Sequence, residues 1–234
     1  MSGEPRARLG LELLNGRGGD YGRLVHDRKI GLLEAPLGRV LDVGCAEGAG
    51  IDVLRARGAT HVAGIELDER FAAEAGRRYD EVVCGSVPDA IAWPDQSFDT
   101  ILCYDVLEHL YDPWSATRRL AGLLRPGGRL HLSMPNARNK EVWLPLVLKG
   151  RFRYQPEGLM DVTHIRFFGR RDAVEMLEAA GLEVVSQEHP EPESIKRRVA
   201  SRLTRGWAMD FLTIQWYLLA QRPALPAPRD GLSP

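Results

Sequence analysis

Short runs that are almost wholly apolar alternate along this chain with longer stretches whose apolar residues recur at helical spacing. Residues 39–43, 61–66, 81–84, 98–104 and 129–134 read as five strands, each bounded by Gly, Asp or Pro, and residues 51–57 and 114–124 read as helices between them. The strands carry apolar residues at successive positions rather than alternate ones, so both faces must be covered. That is the signature of a parallel sheet clothed by helices, and the predicted fold is an α/β, doubly wound, mostly parallel sheet.

The flanks are less regular. Residues 1–20 are rich in Gly and Arg without a sustained period, which predicts a flexible arm with a short helix near 9–14. Leu24, Val25, Ile30, Leu32 and Leu33 predict a helix ahead of the first strand, ended by Pro36 and Gly38. After Pro135 the periodicity lapses as far as Phe168, across Trp143, Leu144, Phe152, Tyr154 and the basic Lys149, Arg151 and Arg153. A long irregular segment in a compact domain is usually functional, so residues 136–168 are expected to form a lid over a bound acceptor. Beyond it come a helix over 172–180 closed by Gly181, a strand over 182–187, a basic amphipathic helix over 194–205, a strand over 211–220 and a Pro-rich flexible tail from 223. One domain over 21–222 accounts for the pattern.

Composition narrows the class. With 44% hydrophobic and 27% charged residues in 234, the chain can bury a core and is not disordered. A net charge of -1 provides no global positive field to collect nucleic acid or an anionic membrane. Cys45, Cys84 and Cys103 lack CxxC spacing, which argues against a disulfide framework or a zinc site and fits a reducing cytoplasm. The first residues lack a signal-peptide core, and no run of apolar residues is long enough to span a bilayer. Nothing in the pattern excludes a homodimer.

The chemistry concentrates at VLDVGCAEGAG, where the first strand ends at Val43 and a helix starts near Gly50. Gly44 and Gly48 let the backbone approach a ligand where a Cβ would collide. Glu66, at the end of the second strand, can accept from the two hydroxyls of an adenosine ribose. Taken alone it could be a solvated charge; together with the turn it reads as a nucleoside site. The turn lacks G-x-G-x-x-G spacing, and Asp42 beside it would repel a pyrophosphate while suiting a cationic group.

VLDVGCAEG, IELDE, FDTILCYDVLEHL and LLRPGGRLHLSMPN resemble, in order and spacing, the successive motifs of class I S-adenosylmethionine (SAM)-dependent methyltransferases. The likeness continues more weakly through THIRFFGRRDAVEMLEAAGLEVV. It implies a Rossmann-like sheet of seven strands with the last antiparallel, SAM as methyl donor and S-adenosylhomocysteine as product. It assigns Asp42, Gly44, Cys45, Ala46 and Gly48 to the methionine side of SAM, Glu66 to the ribose, Leu67, Ser86 and Val87 to the adenine, and Tyr104 with Asp105 to the methyl-transfer end. In two places the chain departs from the family pattern: Ala46 replaces a glycine, and Ser86 an acid near the adenine amino group.

Methyl transfer from a sulfonium is an in-line displacement that needs positioning more than covalent chemistry, but a hydroxyl acceptor must also lose its proton. His109 in DVLEHL and His164 in DVTHIRFF are the candidate bases; a structural role is the competing reading for His109. His131 lies within a strand and reads as a core histidine, and His26, His61 and His189 have no supporting partners. The preferred function is O-methylation of a small-molecule or glycan hydroxyl without a metal. Asp105, Glu108, His109 and His164 also resemble, incompletely, the metal ligands of RNA 3′-end 2′-O-methyltransferases, which is the first alternative. A nicotinamide-dependent oxidoreductase and a non-catalytic SAM-binding scaffold are the others.

Overall fold

The computed structural model describes residues 30, 33–189, 199 and 201–224. The expected arm, most of the helix before the first strand, half of the basic helix at 194–205 and the tail beyond residue 224 lie outside the described residues. The apolar runs become strands β1 (Gly38–Val43), β2 (Ala59–Glu66), β3 (Glu81–Cys84), β4 (Phe98–Tyr104) and β5 (Leu124–Pro135), with β6 (Glu183–Glu188) and β7 (Gln215–Gln221) completing the sheet. Their order is β3-β2-β1-β4-β5-β7-β6. Strands β1 to β5 pair in parallel, and β7 runs antiparallel to both β5 and β6. The order reverses between β1 and β4, and in open α/β sheets ligands collect in the crevice at that switch point.

Helices cover both faces. Ile101 packs with Leu120, Leu130, Met176 and Leu177 on one side, while its neighbour Leu102 packs with Ile30, Leu33, Val40 and Leu54 on the other. Each such fully buried aliphatic side chain contributes about 1.5–3 kcal/mol. Local signals start the helices α1 (Ile51–Ala56), α2 (Glu69–Ala75) and α3 (Pro113–Leu123). The Asp68 carboxylate accepts from the amides of Arg70 and Phe71 ahead of α2, and Asp112 accepts from the Ser115 amide ahead of α3, which has Pro113 at its first position.

Two stretches differ from the sequence pattern. Residues 136–168 are not wholly irregular: α4 (Lys140–Lys149) begins where the Asn139 side chain accepts from the Glu141 amide and ends at Gly150, φ +58°. Its nearly continuous apolar residues and internal Pro145 hide any helical period, because only Val142 is buried while Leu144, Leu146, Val147 and Leu148 face outward. After α5 (Arg170–Ala179), the expected strand from 211 starts later, since Met209–Leu212 form a short helix, α6. Asp210 is buried there between two arginines, and the Asn136 side-chain amide donates to the carbonyls of Asp210 and Thr213, both at 2.8 Å. These bonds tie the segment after β5 to the chain ahead of β7. Among the described residues no helix is long and apolar enough to cross a membrane.

Candidate active site

The turn leaving β1 depends on its glycines. Gly44 (φ +74°) and Gly48 (φ +71°) are left-handed, and a Cβ on Gly44 would lie 2.6 Å from Val106 Cγ2. Between them Ala46 is also left-handed at φ +45°, a conformation that costs an L-residue roughly 1–2 kcal/mol. The turn is fastened to β2: the amides of Gly44 and Cys45 donate to the Ile65 carbonyl, and the Ala46 amide donates to Glu66 Oε2 at 2.9 Å. The other oxygen, Glu66 Oε1, accepts from the Asp68 amide at 3.0 Å. A carboxylate offers about four lone-pair sites, so this one is held in place and can still accept from further donors. Leu67 stands beside it, 65% exposed.

Other predicted cofactor residues sit deeper. Asp42 is buried under the turn and accepts from the Tyr79 hydroxyl at 2.7 Å. Burial, reinforced by Asp42, pushes the Tyr79 phenol far above its ordinary range, so it remains a donor. The Cys45 thiol is likewise pushed up by burial and stays neutral. Ser86 is exposed on the loop after β3, whereas Val87 packs into the core. Tyr104 also turns inward, its hydroxyl 2.7 Å from His131 Nδ1, and His131 is the core histidine its strand position implies.

Beyond β4 the four candidate ligands separate. Asp105 (φ +57°) faces β5 and β7, where its Oδ1 accepts from Ser133 Oγ at 2.8 Å and from Gln215 Nε2. Glu108, His109 and His164 come together instead, their ligand atoms all within 4.8 Å of one another. The amides of Ile165 and Arg166 both donate to the Glu108 carbonyl, fixing the end of the 136–168 segment against the 3-10 turn Leu107–His109. His109 Nδ1 lies 3.1 Å from the Thr163 carbonyl and His164 Nδ1 3.2 Å from that of Leu159. A carbonyl only accepts, so each Nδ1 carries a hydrogen, and each Nε2 is the nitrogen that gains or loses a proton. His164 Nε2 is 3.9 Å from Glu108 Oε1, and Glu108 and His164 are buried. Burial, followed by the neighbouring His164, lowers the pKa of His109, so its imidazole is neutral at neutral pH.

A family described as methyltransferase domain matches residues 17–187. The chain belongs to that family. Among its relatives are the ubiquinone biosynthesis O-methyltransferases of Aeromonas salmonicida, 31% identical over 74% of this chain and 76% of that one, and of Neisseria meningitidis serogroup C, 30% identical over 80% and 77%. A SAM-dependent methyltransferase of Archaeoglobus fulgidus shares the fold with a TM-score of 0.63, at 16% identity over 91% of this chain and 98% of that one. The protein is thus a SAM-dependent methyltransferase, and the dinucleotide alternative falls. Sequence reasoning missed several neighbours of the candidate residues: Tyr79 under Asp42, Ser133 and Gln215 around Asp105, and the carbonyls of Leu159 and Thr163 beside the two imidazoles. Except for Leu159, five residues before His164, each reaches its partner across the fold and so forms no local motif.

Proposed function

We propose that this methyltransferase transfers the methyl group of SAM to a hydroxyl oxygen of a small molecule or glycan, and that Glu108, His109 and His164 deprotonate that hydroxyl. The observation that carries this reading is the convergence of one carboxylate and two imidazoles, that of His109 held neutral by burial, just beyond β4 on the crevice side of the sheet. The relatives named as O-methyltransferases support oxygen as the accepting atom.

The chain's own groups fit the donor. Gly44 and Gly48 hold the turn in its left-handed course against Val106, Tyr79 and Ala75, Glu66 presents a fixed carboxylate to a ribose diol, and exposed Leu67 offers an apolar edge to the adenine. SAM supplies an electrophilic methyl on a sulfonium, and Asp42 lies below the turn as counter-charge to its amino end. Residues 136–168 serve as the acceptor lid: α4 and the aromatic cluster of Phe152, Tyr154 and Phe167 close over the acceptor and exclude water. His164 Nε2 or His109 Nε2 then takes the hydroxyl proton, and Glu108 stabilises the resulting imidazolium.

A second reading rests on the same cluster. Two Nε2 lone pairs and a carboxylate form a donor set that a divalent cation accepts, and such an ion would lower the pKa of a bound hydroxyl. The test is turnover of an accepted hydroxyl before and after dialysis against a chelator, in wild type and in His164→Ala. Loss of activity only in the variant supports the base; loss on chelation with recovery on adding a divalent cation supports the ion; full activity in both excludes the cluster.

A further inference from the structure

At the far edge of the sheet, the end of β6, the start of β7 and residues 205–210 border an open cleft of about 360 Å³. Arg170, Arg171, Arg205, His189, Trp207 and Trp216 line it. We propose that this cleft is a second ligand site that takes the phosphate group of a small phosphorylated molecule.

The charge balance points to an anion. Among the described residues Asp210 is the one acid in the lining, and it is already shared: Arg138 Nη1 and Arg170 Nε each lie 3.0 Å from its carboxylate. Arg170 is held further by Gln187 Oε1 at 2.6 Å and lies over the Trp216 ring at 5.3 Å, so it forms a fixed wall. Arg171 and Arg205 are different, since among the described residues neither pairs with a carboxylate. Glu188, on the adjacent strand position, is turned to the other face, where it accepts from Ser186 Oγ.

The backbone presents Arg205 to this cleft in an unusual way. Residues 201–203 are helical, the Gly206 amide donates to the Ser201 carbonyl at 2.8 Å and the Arg205 amide to that of Arg202 at 3.4 Å. This is the closing turn of a helix, in which the left-handed residue is normally glycine. Here that residue is Arg205, at φ +50°. Arg171, Arg205 and the wall of Arg170 give guanidinium donors that suit the oxygens of a phosphate, which carries a charge of about -1.5 to -2 at neutral pH. Trp207, 61% exposed at the rim, offers a flat face to the organic part of the ligand.

The site is separate from the cofactor turn. From β1 to β6 the sheet order counts four strand spacings, about 19 Å at the usual separation, which places the cleft beyond the reach of a nucleoside held at Glu66.

Calorimetry of the full chain with phenyl phosphate and with inorganic phosphate tests the proposal, with S-adenosylhomocysteine as a control for folding. Wild type is expected to bind phenyl phosphate saturably, and the Arg171→Ala/Arg205→Ala double variant to bind it about 30-fold or more weakly, as loss of charged hydrogen bonds implies. S-adenosylhomocysteine affinity should be unchanged, so failure of this site and failure of the methyltransferase reading are read separately. Tighter binding of phenyl phosphate than of phosphate, lost in Trp207→Ala, assigns an organic phosphate; equal affinity assigns the free anion. No saturable binding of either probe by wild type, or equal binding by the double variant, overturns the proposal.

Discussion

The amide of Ala46 donates to the carboxylate of Glu66 at 2.9 Å, joining the turn after β1 to the end of β2 across twenty residues of sequence. The bond makes Glu66 a clamp on the turn, and in the proposed function the same carboxylate also accepts from the ribose. Glu66→Ala should therefore weaken S-adenosylhomocysteine binding by about 10- to 100-fold, the loss expected for hydrogen bonds to a charged group. Titration calorimetry measures it; unchanged affinity removes Glu66 from the cofactor site.

Asp42 is buried, and its described side-chain donor is the Tyr79 hydroxyl at 2.7 Å. Tyr79→Phe leaves a buried carboxylate short of a hydrogen bond and should cost about 1–3 kcal/mol in urea unfolding. A variant as stable as wild type would show that the bond is dispensable.

Burial keeps His109 neutral, and the sign of the linked effect follows. Its folded pKa lies below its unfolded value of about 6.5, so the unfolded chain takes up the proton first as pH falls through that value, and stability drops. The contribution is complete above pH 6.5 and declines below it. Denaturant unfolding between neutral and mildly acid pH should show this slope in wild type and a flatter one in His109→Asn. Catalysis that needs the neutral imidazole should keep its acid limb below pH 6.5.

Ala46 adopts the left-handed conformation that suits glycine. Ala46→Gly removes that strain but adds freedom to the unfolded chain, so the expected change is small, from about 0 to 1 kcal/mol in favour of the variant, with cofactor affinity retained. A Tm lowered by several degrees would contradict the geometry.

The five parallel strands were legible because β1 and β4 are buried on both faces and therefore nearly uniform in polarity. The turn after β1 and the position of Glu66 at the end of β2 were legible because local sequence encodes a strand, a turn and a strand end. Helix α4 was not: a helix that exposes Leu146, Val147 and Leu148 carries no amphipathic period to detect. The strand expected from residue 211 begins only at Gln215 for a related reason, since the apolar residues of α6 resemble a strand until the long-range pairing of Asp210 with Arg138 and Arg170 is known. Sequence also grouped Asp105 with Glu108, His109 and His164, and only the hydrogen bonds from Ser133 and Gln215 show Asp105 turned toward β7.

Methyl-labelled SAM offered with a panel of phenols, catechols and sugars tests the central claim most directly, with wild type and His164→Ala run side by side. The account predicts label in a methyl ether on oxygen for wild type, and turnover lower by about 10²-fold or more in the variant at unchanged S-adenosylhomocysteine affinity. Label on nitrogen or carbon, or equal turnover by the variant, would contradict it.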